Sequence, residues 1–269
     1  MKTAMMIAPH ADDAAAFCGA TLAKLSAQGW HVILVRVTDD QKDSIGYSVE
    51  ETIKIHTQEM HDAAKILGIQ EIIDLGYLTD SLADVPLGSL RERFVYLFRK
   101  HKPYAVFTFD PFGLYEGNQD HTRVALAVEE AFWVACFDKH YPEHFTEGLE
   151  PFSVCERWYF ARQLAEINHY EDVTETMDKK IMALCAHREM MKNTINQTRL
   201  QLKTYGKRVA MLDEAMDGDM SQLLGMEMQH DGKAMAEKAG WEQGRFAEVF
   251  RKSRFGDMEE LFEMLAEDL

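Results

Sequence analysis

The chain has 269 residues, of which 46% are hydrophobic and 28% charged, with Lys+Arg 29 against Asp+Glu 45 and a formal net charge of −16. This composition suits a globular protein with a real core and excludes disordered, collagen-like and purely coiled-coil chains. The acidic balance, with no basic stripe, argues against nucleic acid and anionic membranes as partners, because phosphate recognition draws on clustered Lys and Arg.

In chain order, short runs rich in branched and aromatic residues predict strands at Thr3 to Ile7, His31 to Val37, Glu71 to Leu75, Tyr104 to Phe109 and Arg157 to Phe160. Amphipathic stretches between them predict helices over about Gly19 to Gln28, Val49 to Leu67, Leu90 to His101 and His121 to Phe137. Gly29 and Gly68 stand where helices favour a C-terminal glycine. From about Asp172 the strand signals stop, and helical patterns rich in Met, Gln, Lys and Glu take over, with a turn at Asp217-Gly218-Asp219. The expected fold is therefore α/β, a mostly parallel sheet sandwiched by helices, with a helical C-terminal extension.

The expected domain division is 1–200 and 201–269. The basic run Arg251-Lys252-Ser253-Arg254 reads as a solvated helix face. Phe132, Trp133 and Phe137 read as core. The tail's apolar residues Phe246, Val249, Phe250, Leu261, Phe262 and Leu265 either lie on their own domain or build an oligomer contact, and the balance favours a homo-oligomer. Four scattered cysteines without a C-x-x-C pair suit a reducing compartment. With no apolar run long enough for a signal peptide or a membrane span, the expected location is cytoplasmic and the expected partner a small molecule.

In parallel α/β sheets the chemistry lies beyond the carboxyl ends of the strands, here residues 8–14, 38–48 and 110–121. His10-Ala11-Asp12-Asp13 follows the first strand directly. Adjacent ionised carboxylates at a strand end are costly unless a cation sits between them, although helix capping by either Asp is an even alternative. The stretch from Asp110 to His121 brings a second His to the same end. Two imidazoles and one carboxylate form a facial set that binds zinc or ferrous iron with positions open. Asp12 and Asp120 are then spare, one to take a proton and one to orient a ring. His56 and His61, five apart, read as ordinary partly exposed histidines. His140 and His144 lie in a loop that could reach a pocket rim, and Asp39 and Asp40 are either pocket residues or solvated.

Ala8-Pro9-His10-Ala11-Asp12-Asp13, followed by Cys18-Gly19-Ala20-Thr21-Leu22-Ala23, resembles the A-H-P-D-D-E and G-G-T-L-A signature of the LmbE-like or PIG-L-like N-acetylglucosaminyl deacetylases. His56-x-x-Glu59 with Ala63-Ala64 and Leu67-Gly68-Ile69, Asn118-Gln119-Asp120-His121, and Lys180 to His187 are similar to further family segments in the same order, covering about residues 3 to 200. The resemblance implies a Rossmann-like fold and a zinc-dependent N-deacetylase acting on an amino sugar or its conjugate. It implies His10, Asp13 and His121 as metal ligands, Asp12 as general base and Asp120 as a ring-orienting carboxylate. Tyr115 would face the oxyanion, with Asn118 and His187 at the substrate.

Three positions depart from the family pattern: Ala14 for Glu, His56 for Arg, and Asn118 for the first His of H-P-D-H. Asn can donate a hydrogen bond but cannot pass a proton at neutral pH. A catalytically weak relative that binds a sugar-like ligand or metal is therefore the alternative.

Overall fold

The computed structural model describes residues 1–268, the side chain of Asp257 excepted. Its elements are β1 (Thr3–Ala8), α1 (Asp13–Ala27), β2 (His31–Thr38), α2 (Val49–Leu67), β3 (Glu71–Tyr77), α3 (Leu87–His101), β4 (Ala105–Phe109), α4 (Gln119–Val134), α5 (Glu143–Thr146), β5 (Glu156–Phe160), β6 (His169–Asp172), α6 (Met177–Ala186), α7 (Arg188–Thr204), α8 (Ala210–Asp217), α9 (Ser221–Lys238), β7 (Ala247–Ser253) and α10 (Glu259–Leu265). The sheet order is β3-β2-β1-β4-β5-β7-β6. The first five strands are parallel, and β7 runs antiparallel to both β5 and β6. The chain builds outward from β1 to β3, then returns to the other side of β1, so the crevice between the ends of β1 and β4 is the switch point where such sheets bind ligands.

Side-chain alternation decides which residues meet which layer. Met5 and Ile7 of β1 and Ile33, Val35 and Val37 of β2 turn to α3 and α4, where they meet Leu90, Phe94, Phe98, Val124 and Val128. Ala4, Met6, Ala8, Val32 and Leu34 turn the other way, onto Cys18 and Leu22 of α1. Both faces are covered, which is why these strands read as continuous apolar runs. Each Phe or Leu buried this way contributes about 1.5–3 kcal/mol. Over α1 and α2 lies a further helical layer. Ala183 and Leu184 of α6, Met190 and Ile195 of α7, Leu212 of α8 and Leu224 of α9 pack with Ala15, Ala23, Ala63 and Leu67.

Local signals set the helix ends. Ser48 and Glu51 form a reciprocal capping box at the start of α2, and Gly68 closes it in the left-handed region at φ 76°. The turn at Asp217-Gly218-Asp219 separates α8 from α9 as expected. By contrast, α1 starts at Asp13, six residues before the expected Gly19, and is bent at Cys18 (φ −140°, ψ 21°). Past the bend, the N–H groups of Ala20 and Thr21 donate to the two carboxylate oxygens of Glu248 at 3.2 and 2.8 Å. Lys180 Nζ completes the set, 2.6 Å from Glu248 Oε1. A buried carboxylate thus caps the second half of α1 from outside.

The tail is not wholly helical. Residues 247–253 form β7, which sits inside the sheet, so the expected boundary at residue 200 is crossed by a strand of the first unit. Phe250 is fully buried there. Arg251, expected on a solvated helix face, lies in β7 and donates through Nε to Asp110 Oδ2 at 2.7 Å. Trp133, expected in the core, is 71% exposed, and Phe137 is exposed too, while Phe132 is buried. Among the described residues, no helix is long and apolar enough to cross a membrane.

Candidate metal centre

β1 ends at Ala8, and the turn that follows delivers His10, Asp12 and Asp13 to the switch-point crevice. Asp13 Oδ2 accepts the backbone N–H of His10 at 2.9 Å, tying the turn to itself. Thr38 at the end of β2 donates from both its backbone N–H and its hydroxyl to the Pro9 carbonyl. Asp40, completely buried at φ 56°, accepts from the Ala11 N–H and from Arg36 Nη1, each at 3.2 Å. Of the two readings of Asp40, solvation is ruled out: this carboxylate fixes the turn from below. Burial pushes its pKa up to about 7, against the pull of His10 and Arg36.

The fourth parallel strand supplies the rest. After β4, the loop from Asp110 leads to Asn118, whose side-chain oxygen accepts the Asp120 N–H at 2.8 Å as the N-cap of α4. This cap sets Asp120 and His121 in the first turn, pointing at the β1 turn. His10 Nδ1 and His121 Nε2 lie 3.1 Å apart. Asp13 Oδ2 is 3.4 Å from His10 Nδ1, and Asp13 Oδ1 is 3.5 Å from His121 Nε2. These three buried residues offer ligand atoms that all lie within 4.8 Å of one another.

The remaining ring nitrogens face carboxylates. His121 Nδ1 is 2.9 Å from Glu116 Oε2, and His10 Nε2 is 3.7 Å from Asp120 Oδ2. Asp120 is itself held by the N–H groups of Asp80 and Leu82. Carboxylates behind both rings favour protons on the far nitrogens, leaving the near lone pairs to converge with Asp13. The donor set therefore fits a divalent cation of the zinc or ferrous type. Burial opposes charge on His10, but Asp120 and Asp13 outweigh it and hold its pKa well above the ordinary value. Asp13 is lowered: burial works against its charge, and the two histidines overcome that. A second grouping, His10 with Asp40 and Asp43, also brings donor atoms together. Its Asp40 is already engaged by Ala11 and Arg36, so the first set is the better one.

Asp12 occupies the N-cap position of α1 without making a side-chain cap bond. It lines a cavity of about 480 Å³ together with His10, Asp13, Asp43, Asn118, His121 and Arg162. Burial and the neighbouring Asp13 push its pKa up to about 6. The far wall of that cavity comes from α7 and α9, including Asn193, Thr194, Gln197, Thr198, Leu223 and Met228.

Tyr115 does not join this group; it is 82% exposed with φ 59°. His187 lies behind the cavity, buried where α6 meets α7. His56, expected to be partly exposed, is completely buried near it. His144 sits between Arg99 and Glu92, within the contacts of the α3 side rather than at a rim. Sequence reasoning gave no role to Glu116, although it stands five residues before His121 in the same loop. Arg162 and the α7–α9 wall carried no sequence signal.

Residues 5–132 match the family described as PIG-L: GlcNAc-PI de-N-acetylase. The matched stretch holds the segments that supply His10, Asp13 and His121. It is 27% identical over 190 residues to the diacetylchitobiose deacetylase of Thermococcus kodakarensis, covering 70% of this chain and 69% of that one. Its fold is similar to N,N'-diacetylchitobiose deacetylase from Pyrococcus horikoshii (TM-score 0.75, 24% identity, 97% of this chain and 85% of that one). It is also similar to 4-carboxy-2-hydroxymuconate hydratase from Pseudomonas putida KT2440 (TM-score 0.69, 16% identity, 100% of each chain). At these identities the two structural likenesses show the fold alone and leave the chemistry to the site.

His187 makes acid sensitivity measurable. Its Nδ1 has no partner among the described residues, and burial, with His56 nearby, pushes its pKa down to about 3. An unfolded His titrates at about 6.5. Between those values the unfolded chain binds a proton that the folded chain does not, so stability falls as pH drops. At pH 5 the expected loss from this group is about 2 kcal/mol relative to pH 7. Urea unfolding of the metal-free protein should show a weaker pH dependence in His187→Leu than in the native chain. Equal slopes would remove His187 as the source.

Proposed function

We propose that this protein is a metal-dependent hydrolase that removes an N-acetyl or other N-acyl group from an amino sugar or its conjugate. The observation that carries this reading is the convergence of His10, Asp13 and His121 beside an uncapped Asp12, within a cavity large enough for a sugar. The deacetylase relative supports it. When bound, a divalent cation, for which we propose zinc or ferrous iron, polarises the amide carbonyl and lowers the pKa of water. His10, Asp13 and His121 would hold it. Asp120 and Glu116 orient the two rings. Asp12 is the general base, and its base form dominates above about pH 6.

Asn118 has its oxygen committed to the cap of α4, so its amide N–H₂ is the part available to the substrate. It can donate to a developing oxyanion but cannot release a proton. Asp12, once protonated, is then the nearest donor to the leaving nitrogen. We assign Tyr115 no contact in this state of the loop, and His187 a supporting place behind the wall. A cytoplasmic setting accompanies this proposal, supported by four cysteines that are all free.

Acetate release from a panel of N-acetylated amino sugars and conjugates tests the reading. The metal-loaded protein should release acetate, chelation should stop it, and re-addition should restore it. The rate should rise with pH as Asp12 ionises and then stay flat, whereas Asn118→His should add an alkaline fall. Stoichiometric metal with no acetate from any member of the panel would favour the binding-only alternative.

A further inference from the structure

We propose that the acidic helix α10 of one copy seats on a basic corner formed by α7 and α8 of a second copy. In a chain of formal net charge −16, four cations gather at one corner. Arg199, Lys203, Lys207 and Arg208 line a hollow of about 790 Å³ whose apolar floor includes Leu200 and Val209. Leu200 and Val209 are exposed. The residues that line this hollow and those that line the catalytic cavity do not overlap, although both draw on α7. The corner is thus separate from the metal centre. Asp213 receives Nε of both Arg199 and Arg208, which brings the two guanidiniums side by side at the surface.

The complementary surface is α10. Residues 255–269 contain six Asp or Glu and no Lys or Arg. Leu261, Phe262 and Leu265 share one side of this helix with Met258, as i, i+3 and i+4 neighbours do, and all are exposed, Leu265 at 63%. Glu259 and Glu263 are engaged by Arg254. Glu260, Glu267 and Asp268 extend the acidic surface, all exposed. An apolar stripe flanked by carboxylates meets, in the α7–α8 corner, an apolar floor flanked by cations.

The two surfaces cannot serve one another within a copy. β7 runs antiparallel to β5 and ends with Ser253 opposite Arg157 at the start of β5, so α10 follows at the end of the sheet remote from the metal centre. Thr198 still lines the catalytic cavity, which puts the corner just beyond it at the metal end. Contact between copies therefore joins unlike surfaces, which pair reciprocally in a dimer or, repeated one way round, build a ring or an open chain. Opposite charge flanking a small apolar contact also makes the assembly salt-sensitive.

Light scattering of the full chain at micromolar concentration should give a species larger than a monomer at low salt that shifts toward monomer at high salt. Lys203→Glu with Lys207→Glu should weaken association at least ten-fold, and so should Glu260→Lys with Glu267→Lys. These positions are exposed, so the unfolding midpoint should stay near that of the native chain. Mixing the two charge-reversed proteins should restore association between them. A native chain that remains monomeric at low salt would overturn the proposal. So would charge-reversed chains that associate as the native one does, or a mixture that stays dissociated.

Discussion

Asp12→Asn should lower kcat by about 10²–10⁴-fold, the usual contribution of a positioned general base, while leaving bound metal unchanged. The asymmetry follows from geometry. Asp13 bonds the His10 N–H and sits between the two imidazoles, whereas Asp12 makes no cap bond and opens on the cavity. His121→Ala should do the reverse and empty the site, because it removes one of three converging donors. Glu116→Gln should fall between, costing roughly 10–100-fold in metal affinity, as is typical for a partner that orients a ligand. Elemental analysis after dialysis, set beside acetate release, reads all three. Metal lost on changing Asp12, or kept in full on changing His121, would reverse the assigned roles.

Glu248→Ala should destabilise the fold by about 3–5 kcal/mol, the range for removing one member of a buried ion pair. The change leaves Lys180 buried without its partner, and it leaves the Ala20 and Thr21 N–H groups past the Cys18 bend without an acceptor. At about 2–4 °C per kcal/mol for a chain of this size, thermal unfolding should fall by roughly 10 °C. Adding Lys180→Met should recover part of the loss, since the stranded charge goes with it. A single substitution costing less than about 1 kcal/mol would mean that the pair is exposed to water and that the bend in α1 is held by something else.

The parallel half of the molecule was legible because its central strands are buried on both faces and α2 carries a capping box and a left-handed glycine. Five strands fell within two residues at each end of their expected spans, and α2 matched at both ends. The convergence of His10, Asp13 and His121 was legible because they stand, with Asp12 and Asp120, at strand ends, where the chain has no reason to gather charge without a use for it. The second half resisted for a physical reason. Ala247 to Ser253 lacks a clean period-2 alternation, with Val249 and Phe250 adjacent and then Arg251 and Lys252, which find Asp110 and Glu156 across the sheet. Nothing local distinguishes such a run from a polar helix face. β6 is four residues long and mostly polar. The orienting roles of Glu116 and Asp40 depend on loop closure and on a left-handed backbone, neither of which has a periodic signature. Trp133 shows the converse error, since an aromatic on an amphipathic helix can point outward at modest cost.

The place of β7 separates the order of synthesis from the order of assembly. β5 leaves its outer edge unpaired until residues 247–253 arrive, and β6 can join the sheet only through β7. A nascent chain extended as far as α9 therefore carries an open strand edge rich in aromatic side chains, Trp158, Tyr159 and Phe160 among them, the kind of edge that pairs with other chains. Its first helix, α1, also lacks the Glu248 carboxylate that caps its second half. β7, made only after α9, is thus the strand that closes the first helix, and chaperone dependence should concentrate in that interval of translation.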